Sequence, residues 1–204
     1  GPNVITTVVT AQDGTTTGTY TVPVTRAPSA VATLSNLTIS SGTLTPAFAS
    51  GTTSYSDGVT NTTTSVTVTP TTTDATSTIT VNGTAVTSGS ASGTITVAVG
   101  TNVITTVVTA QDGTTTGTYT ITVSRAPSAS ASLANLTLSS GTLAPVFASG
   151  TTSYTADVTN ATTSITVIPT TSDVNATVTV NGAAVTSGTA SGPITLQIGP
   201  NVIN

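Results

Sequence analysis

The side chains able to do chemistry in this sequence are few: six Asp, two Arg and four Tyr, scattered among Thr and Ser hydroxyls. His, Cys, Lys, Glu, Met and Trp are absent. A hydroxyl nucleophile is weak until a neighbouring base takes its proton, and that base is ordinarily His, Lys or a carboxylate within hydrogen-bond reach. The only candidates here are Asp13, Asp57, Asp74, Asp112, Asp157 and Asp173, and they lie far apart along the chain. A calcium site needs several oxygen ligands with carboxylates among them, usually at set spacings. No such spacing occurs. No catalytic, cofactor-binding or metal-ligating residue is assigned, and neither an enzymatic activity nor a cofactor is expected of this segment.

Most of the Asp residues have a simpler role. Asp13 and Asp112 precede Gly and read as turn residues, while Asp74 and Asp173 sit in Thr-rich loops, where an Asp carboxylate bonds its own backbone. Asp57 is different. Counted alternately from Tyr55 it points inward, a costly place for an unpaired carboxylate, and a bulge at Gly58 would turn it out.

Charge excludes further classes. The net charge is −4 with only two Arg, so no basic surface exists to neutralise phosphates and no nucleic-acid partner is expected. The mean hydropathy of +0.32 with few charges is the reverse of a disordered composition. No apolar run approaches the roughly eighteen residues of a membrane helix, so no membrane insertion is expected. There is no signal peptide and the chain begins at Gly1, which suits a mature or excised piece. Charged residues make up 4% of the chain, against about a quarter in ordinary domains. Thr and Ser must therefore wet the surface, a pattern expected of secreted or surface-attached material. The six Asn-X-Thr sequons, at Asn36, Asn61, Asn82, Asn135, Asn160 and Asn175, are what chance supplies in so Thr-rich a chain.

The elements that position these residues come in repeats. Residues 2–100 align without a gap on 101–199, an offset of 99, and Asn3 through Thr21 recur unchanged as Asn102 through Thr120. A third copy opens at Pro200. Such a period marks an array of similar modules. The stretches Arg26-Ala27-Pro28-Ser29-Ala30 and Arg125-Ala126-Pro127-Ser128-Ala129 break the strand pattern and read as linkers. The expected organisation is 1–26 as the closing strands of one sandwich, 27–33 a linker, 34–125 a complete β-sandwich, 126–132 a linker, and 133–204 a sandwich without its last hairpin.

Ser65–Thr69, Thr78–Val81 and Thr94–Val99 alternate apolar residues with Thr at period two, the signature of half-buried strands. Asn82-Gly83 is a two-residue hairpin signal, and Asp112-Gly113 is read the same way. Seven or eight short strands at this turn spacing predict a sandwich. Its expected core runs from Leu37, Ile39, Leu44, Phe48 and Tyr55 through Val97 and Val99 to Ile104, Val108, Tyr119, Ile121 and Val123, with Phe48 and Tyr55 as aromatic anchors.

The opening Leu34-Ser35-Asn36-Leu37-Thr38-Ile39-Ser40, Gly42 through Phe48 and Thr52-Thr53-Ser54-Tyr55, with the closing Gly100 through Ile104, Ala110 through Thr114 and Tyr119 through Arg125, resemble the bacterial cadherin-like β-sandwich domain family. The resemblance implies an all-β chain of tandem Ig/cadherin-like Greek-key sandwiches at a 99-residue repeat. It also implies secreted or surface-attached proteins in which such modules serve as spacers, adhesive stalks or accessories to enzymes. It brings no catalytic residues. Ala49-Ser50 stands where the family often has an acidic residue after the Phe, and the linkers hold no carboxylate, so calcium-stiffened joints are not expected.

The function expected is structural: a spacer or filament-forming segment of an extracellular stalk or fibre, whose partners are identical neighbouring repeats or identical chains in a filament. The rival is an adhesin or accessory module binding a glycan, protein or surface partner, against which stands the lack of Trp and scarcity of Tyr. Strand exchange between chains is a further route to a fibre. Because Gly1–Ile5 and Gly199–Ile203 are identical, both would compete for one position, and a longer array is the expectation.

Overall fold

β-branched residues alternating with Thr form strands throughout, and among residues 3–204, those described by this computed structural model, there is no helix. The chain divides into two units, Gly1–Pro127 and Ser128–Asn204. The first opens with β1 (Asn3–Thr10) and β2 (Thr17–Val24), an antiparallel hairpin in register from Asn3 opposite Val24 to Thr10 opposite Thr17. Gly1 and Pro2, part of the expected span 1–26 and of the repeated Gly1–Ile5, lie outside the described residues. Every residue of both strands is exposed.

The rest of the first unit is a sandwich. Its strands are β3 (Leu34–Ile39), β4 (Ser54–Val59), β5 (Ser65–Val66), β6 (Val68–Thr72), β7 (Thr78–Val81), β8 (Thr84–Val86), β9 (Ile95–Thr96), β10 (Gly100–Thr109) and β11 (Thr116–Arg125). One layer is a five-stranded sheet in the order β4-β11-β10-β7-β8, parallel between β4 and β11 and antiparallel elsewhere. The other is made by β3 with β6 and β5 with β9. β5 and β6 are one ribbon interrupted at Thr67, whose N–H is taken by the Ser40 hydroxyl at 2.9 Å, so the count is nine strands, or eight with these two joined.

Local chemistry sets the turns. Asn82 and Gly83 both have positive φ, +47° and +81°, as a type I′ turn demands. Asp112-Gly113 does not form the expected two-residue turn. Gly113 alone has positive φ, and six residues separate β10 from β11. Gly113 N–H donates to the Ala110 carbonyl at 3.0 Å, and the Asp112 carboxylate accepts from Thr114 N–H, Thr115 N–H and the Thr115 hydroxyl. An Asp that can collect three donors builds a wider loop.

The expected strand Thr94–Val99 also shrinks, to β9. The Asn102 side chain binds both the N–H and the carbonyl of Ala98 at 2.8 Å, which pulls the chain out of the ladder. Val99, expected inward, is 51% exposed as a result. Leu34, absent from the expected core, is fully buried, and its N–H donates to the Tyr119 hydroxyl at 3.0 Å. Phe48 is half-buried in a loop rather than a strand and stacks on Tyr55 at a centroid distance of 6.1 Å.

The second unit contains β12 (Leu133–Leu138) paired with β14 (Val167–Thr171), β13 (Ser164–Ile165) with β17 (Ile194–Thr195), and β15 (Val178–Val180) with β16 (Ala183–Val185). These match β3, β6, β5, β9, β7 and β8 at the repeat offset. Residues 153–158, which match β4, form only a bridge from Thr155 to Ala144. β4 owes its ladder to β11, and among the described residues the second unit has no counterpart of β11. Leu133, Leu136 and Tyr154 are half-buried where Leu34, Leu37 and Tyr55 are buried.

Thr106 on β10 is 1% exposed and its hydroxyl has no hydrogen-bond partner. Replacing a buried unpaired hydroxyl by a methyl of like shape removes a desolvation cost of about 1–3 kcal/mol. Thr106→Val should therefore raise the denaturant midpoint of the first unit. A lowered midpoint would mean that the hydroxyl is satisfied in solution.

Candidate functional site

Asp57 lies where alternation put it, on β4 between Tyr55 and Val59, with all three buried. The expected bulge at Gly58 is absent, since β4 runs in unbroken register with β11 from Ser54 opposite Thr120 to Val59 opposite Arg125. The carboxylate is accommodated from the loop instead. Thr43 N–H donates to Asp57 Oδ1 at 2.8 Å, while Oδ2 is buried without a partner. Gly42, at φ +83°, makes room: a Cβ there would collide with the carboxylate. The position matching Asp57 in the second unit is Ala156, so this arrangement belongs to one repeat, and no reacting group stands beside it.

A second cluster forms where residues 27–33 meet the sandwich. Ser29 N–H donates to Gln111 Oε1 at 2.9 Å, and the Ser29 carbonyl accepts from Asp112 N–H at 3.1 Å. The Ser29 hydroxyl is the strongest influence holding the Asp74 carboxyl down at about 2, followed by Thr76 N–H and the Thr76 hydroxyl, with the Arg26 charge adding a little. The Val31 carbonyl accepts from the Ser77 hydroxyl at 2.8 Å. The segment is thus held to the sandwich at three places. Beside it lies an open groove of about 480 Å³, lined by Asn3, Arg26, Ser29, Asp74, Thr76 and Gln111 among others. Ser29 next to Asp74 has the outline of a nucleophile and base, but a carboxyl held near 2 is a poor proton acceptor at neutral pH.

At the other end of the sandwich Arg125 closes the fold. Its Nε and Nη2 donate to the Asn61 carbonyl at 2.9 and 2.6 Å, Nη1 donates to the Val97 carbonyl at 3.0 Å, and Asn61 Nδ2 donates to the Ala126 carbonyl at 3.1 Å. The guanidinium satisfies carbonyls that no strand reaches. Sequence reasoning assigned no such contact to Arg125, Asn61 or Gln111. The available signal was position: each copy has one Arg, and it stands where the closing strand gives way to the linker.

The other Asp residues act as loop braces. Asp13 is held at about 2 by the Thr16 hydroxyl first, then Thr16 and Thr15 N–H. Asp112 is likewise at about 2 through Thr115 and Thr114, and Asp173 is lowered chiefly by the Ser128 hydroxyl. Among the described residues no three acidic side chains come together in a way that could hold a metal ion. Tyr20 is 65% exposed, whereas Tyr154 packs on Phe147 with its hydroxyl 2.8 Å from both the Thr151 and the Ala148 carbonyl, which share its one proton.

The family model described as Cadherin-like beta sandwich domain matches residues 34–126 and again 133–204. No curated protein matches the chain.

Two outcomes follow from the Asp geometry. Gly42→Ala must lose the positive φ or displace the carboxylate, and should destabilise the first unit by more than about 1 kcal/mol in urea unfolding. Adding Asp57→Ala should recover part of that loss, since the two sites touch. For the loop carboxylates, a folded-state pKa below the usual 3.8 gives stability that is complete above 3.8 and lost as pH falls towards 2. The thermal midpoint should stay level from neutrality to about pH 5 and drop between about 4 and 2. Asp112→Asn should lower the neutral midpoint and flatten that acid drop.

Proposed function

The chain belongs to the Cadherin-like beta sandwich domain family, and from that premise we propose that it is a load-bearing spacer in the stalk or fibre of a secreted or cell-surface protein. Modules of this family are of structural or adhesion type, typically extracellular or surface-associated and typically non-catalytic. Among the described residues no helix is long and apolar enough to cross a membrane.

The observation that carries the reading is how β11 sits in its sheet. β11 leads directly into Arg125 and the linker, and it lies between β4 and β10 with ladders on both sides. Tension applied to the linker runs along β11, across the direction of its hydrogen bonds. Those bonds must then fail together rather than one after another. The Arg125 clamp onto the Asn61 and Val97 carbonyls adds to the same grip. At the head of the sandwich, residues 27–33 are hydrogen-bonded to Gln111, Asp112 and Ser77, so tension enters at a braced point.

The rival reading, a glycan-binding module, turns on exposed aromatic rings. Tyr20 is exposed, but its identical counterpart Tyr119 is 2% exposed in the core of the complete sandwich. Tyr20 is a core residue on an uncovered hairpin, and it supports the structural reading better than a glycan platform.

Stretching single molecules of the full chain tests the proposal. The β1–β2 hairpin, whose ends Asn3 and Val24 are adjacent, should unzip at low force, and the sandwich should give way later at a distinctly higher force. Thr122→Pro, which removes an N–H from the middle of β11, should lower the second force and leave the first unchanged. A sandwich that opens at the hairpin's force would remove the load-bearing role.

A further inference from the structure

Tension enters the sandwich at one strand and leaves it at another. The chain comes in through residues 29–33 and continues as β3, and it goes out through β11 and Arg125. β3 pairs only with β6, whereas β11 lies between β4 and β10, so the two strands belong to opposite layers. They run the same way. Leu34 opens β3 beside Tyr119, and Gly42, just past the end of β3, lies against the carboxylate of Asp57, which is opposite Val123. A pull along the chain therefore draws β3 and β11 in opposite senses on one axis and slides one layer over the other.

Apolar contact between the layers does not single out a direction. Leu37, Val66 and Val68 on one side meet Ile104, Val108 and Ile121 on the other, and the hydrophobic effect that holds them is non-directional. Among the described residues one hydrogen bond links the two loaded strands directly. Leu34 N–H donates to the Tyr119 hydroxyl at 3.0 Å, with both residues buried. Water does not reach that bond, so breaking it leaves an N–H without a partner. Gly117 seats the contact. Ala32 is buried with its carbonyl oxygen against Gly117, where a Cβ would collide with it. The same segment is tied to its own layer: Thr73 N–H donates to the Thr33 carbonyl at 2.9 Å, and the Thr33 hydroxyl donates to that of Thr73 at 3.0 Å.

We propose that the Tyr119 hydroxyl is a cross-layer pin, tying the strand that receives tension to the strand that passes it on, so that the two layers yield together. The proposal rests on the load-bearing reading above and gives it a residue. Without the pin, β3 follows the pulled end alone. It draws out residues 29–42, at most about 45–50 Å of extended chain. There the release stops, because Thr43 N–H is held by Asp57 and Thr45 is bridged to Ser56 on β4. The β4–β11 ladder then breaks as a second step.

The absence of Cys lets pulling handles be placed at will. In the full chain, Ala27→Cys with Pro127→Cys loads the sandwich lengthwise. Ala75→Cys with Ala91→Cys loads β7 and β8 and leaves β3 and β11 out of the path; all four positions are exposed. Each pair is stretched with and without Tyr119→Phe, which removes the hydroxyl and keeps the ring. The expected result is a lower lengthwise rupture force, with a first step of at most about 45–50 Å split from the main one, and an unchanged crosswise force. An unchanged lengthwise force overturns the proposal. So does an equal fall in both directions, which is what lost stability alone produces. Gly117→Ala, which keeps the hydroxyl but displaces Ala32, should show the same split, and a single undivided event in both variants also overturns the pin. The force of the unmodified chain tests the load-bearing reading, and the ratio of variant to unmodified force tests the pin, so either can fail alone.

Discussion

The core of the first unit is built around one ladder, β10 with β11. These two strands are inner members of their sheet, and they present Ile104, Val108, Tyr119, Ile121 and Val123 to the opposite layer. A two-stranded ribbon alone has an apolar face and two free edges, and it is marginal in water. Set between β4 and β7 and over β3 and β6, it loses both liabilities together. The chain displays the ladder alone as β1–β2, the ladder installed as β10–β11, and a layer pair without it in the second unit. The backbone register is the same in the first two, which makes it a local property of sequence and turn. Burial differs at the inward-facing positions, which makes packing a property of neighbours.

That contrast explains what could be read in advance. Period-two alternation located the strands, and Asn82-Gly83 fixed its turn, because both depend on residues close together in sequence. Asp112-Gly113 looked like the same turn and was not: its outcome depended on three donors at Thr114 and Thr115 competing for one carboxylate. Val99 left the core because of Asn102, three residues on, whose side chain imitates a strand partner. Leu34 entered it because Tyr119, eighty-five positions away, offers its hydroxyl. Interactions at that separation leave no mark in a local pattern.

The buried carboxylate is the sharpest instance. Alternation placed Asp57 inward correctly, and the cost of that position suggested a bulge. The ladder with β11 proved stronger than the cost, so the strand stayed regular and the loop at Gly42 and Thr43 adapted around the side chain. The functional residues were hidden differently. Arg125, Gln111 and Asn61 act by bonding backbone carbonyls and N–H groups at the ends of the sandwich, and such partners are contributed by any residue type, so no motif announces them.

The two arginines show what such bonding means for resistance to proteolysis. Arg125 is half-buried, with its guanidinium committed to two carbonyls of its own fold. Arg26, at the same place in the repeat, is exposed. A trypsin-like protease must draw an arginine fully into its own acidic pocket before it can cut. Arg26 is free to go and Arg125 has first to be pulled out of the fold. A folded sandwich that holds its closing arginine in this way protects the joint that follows it.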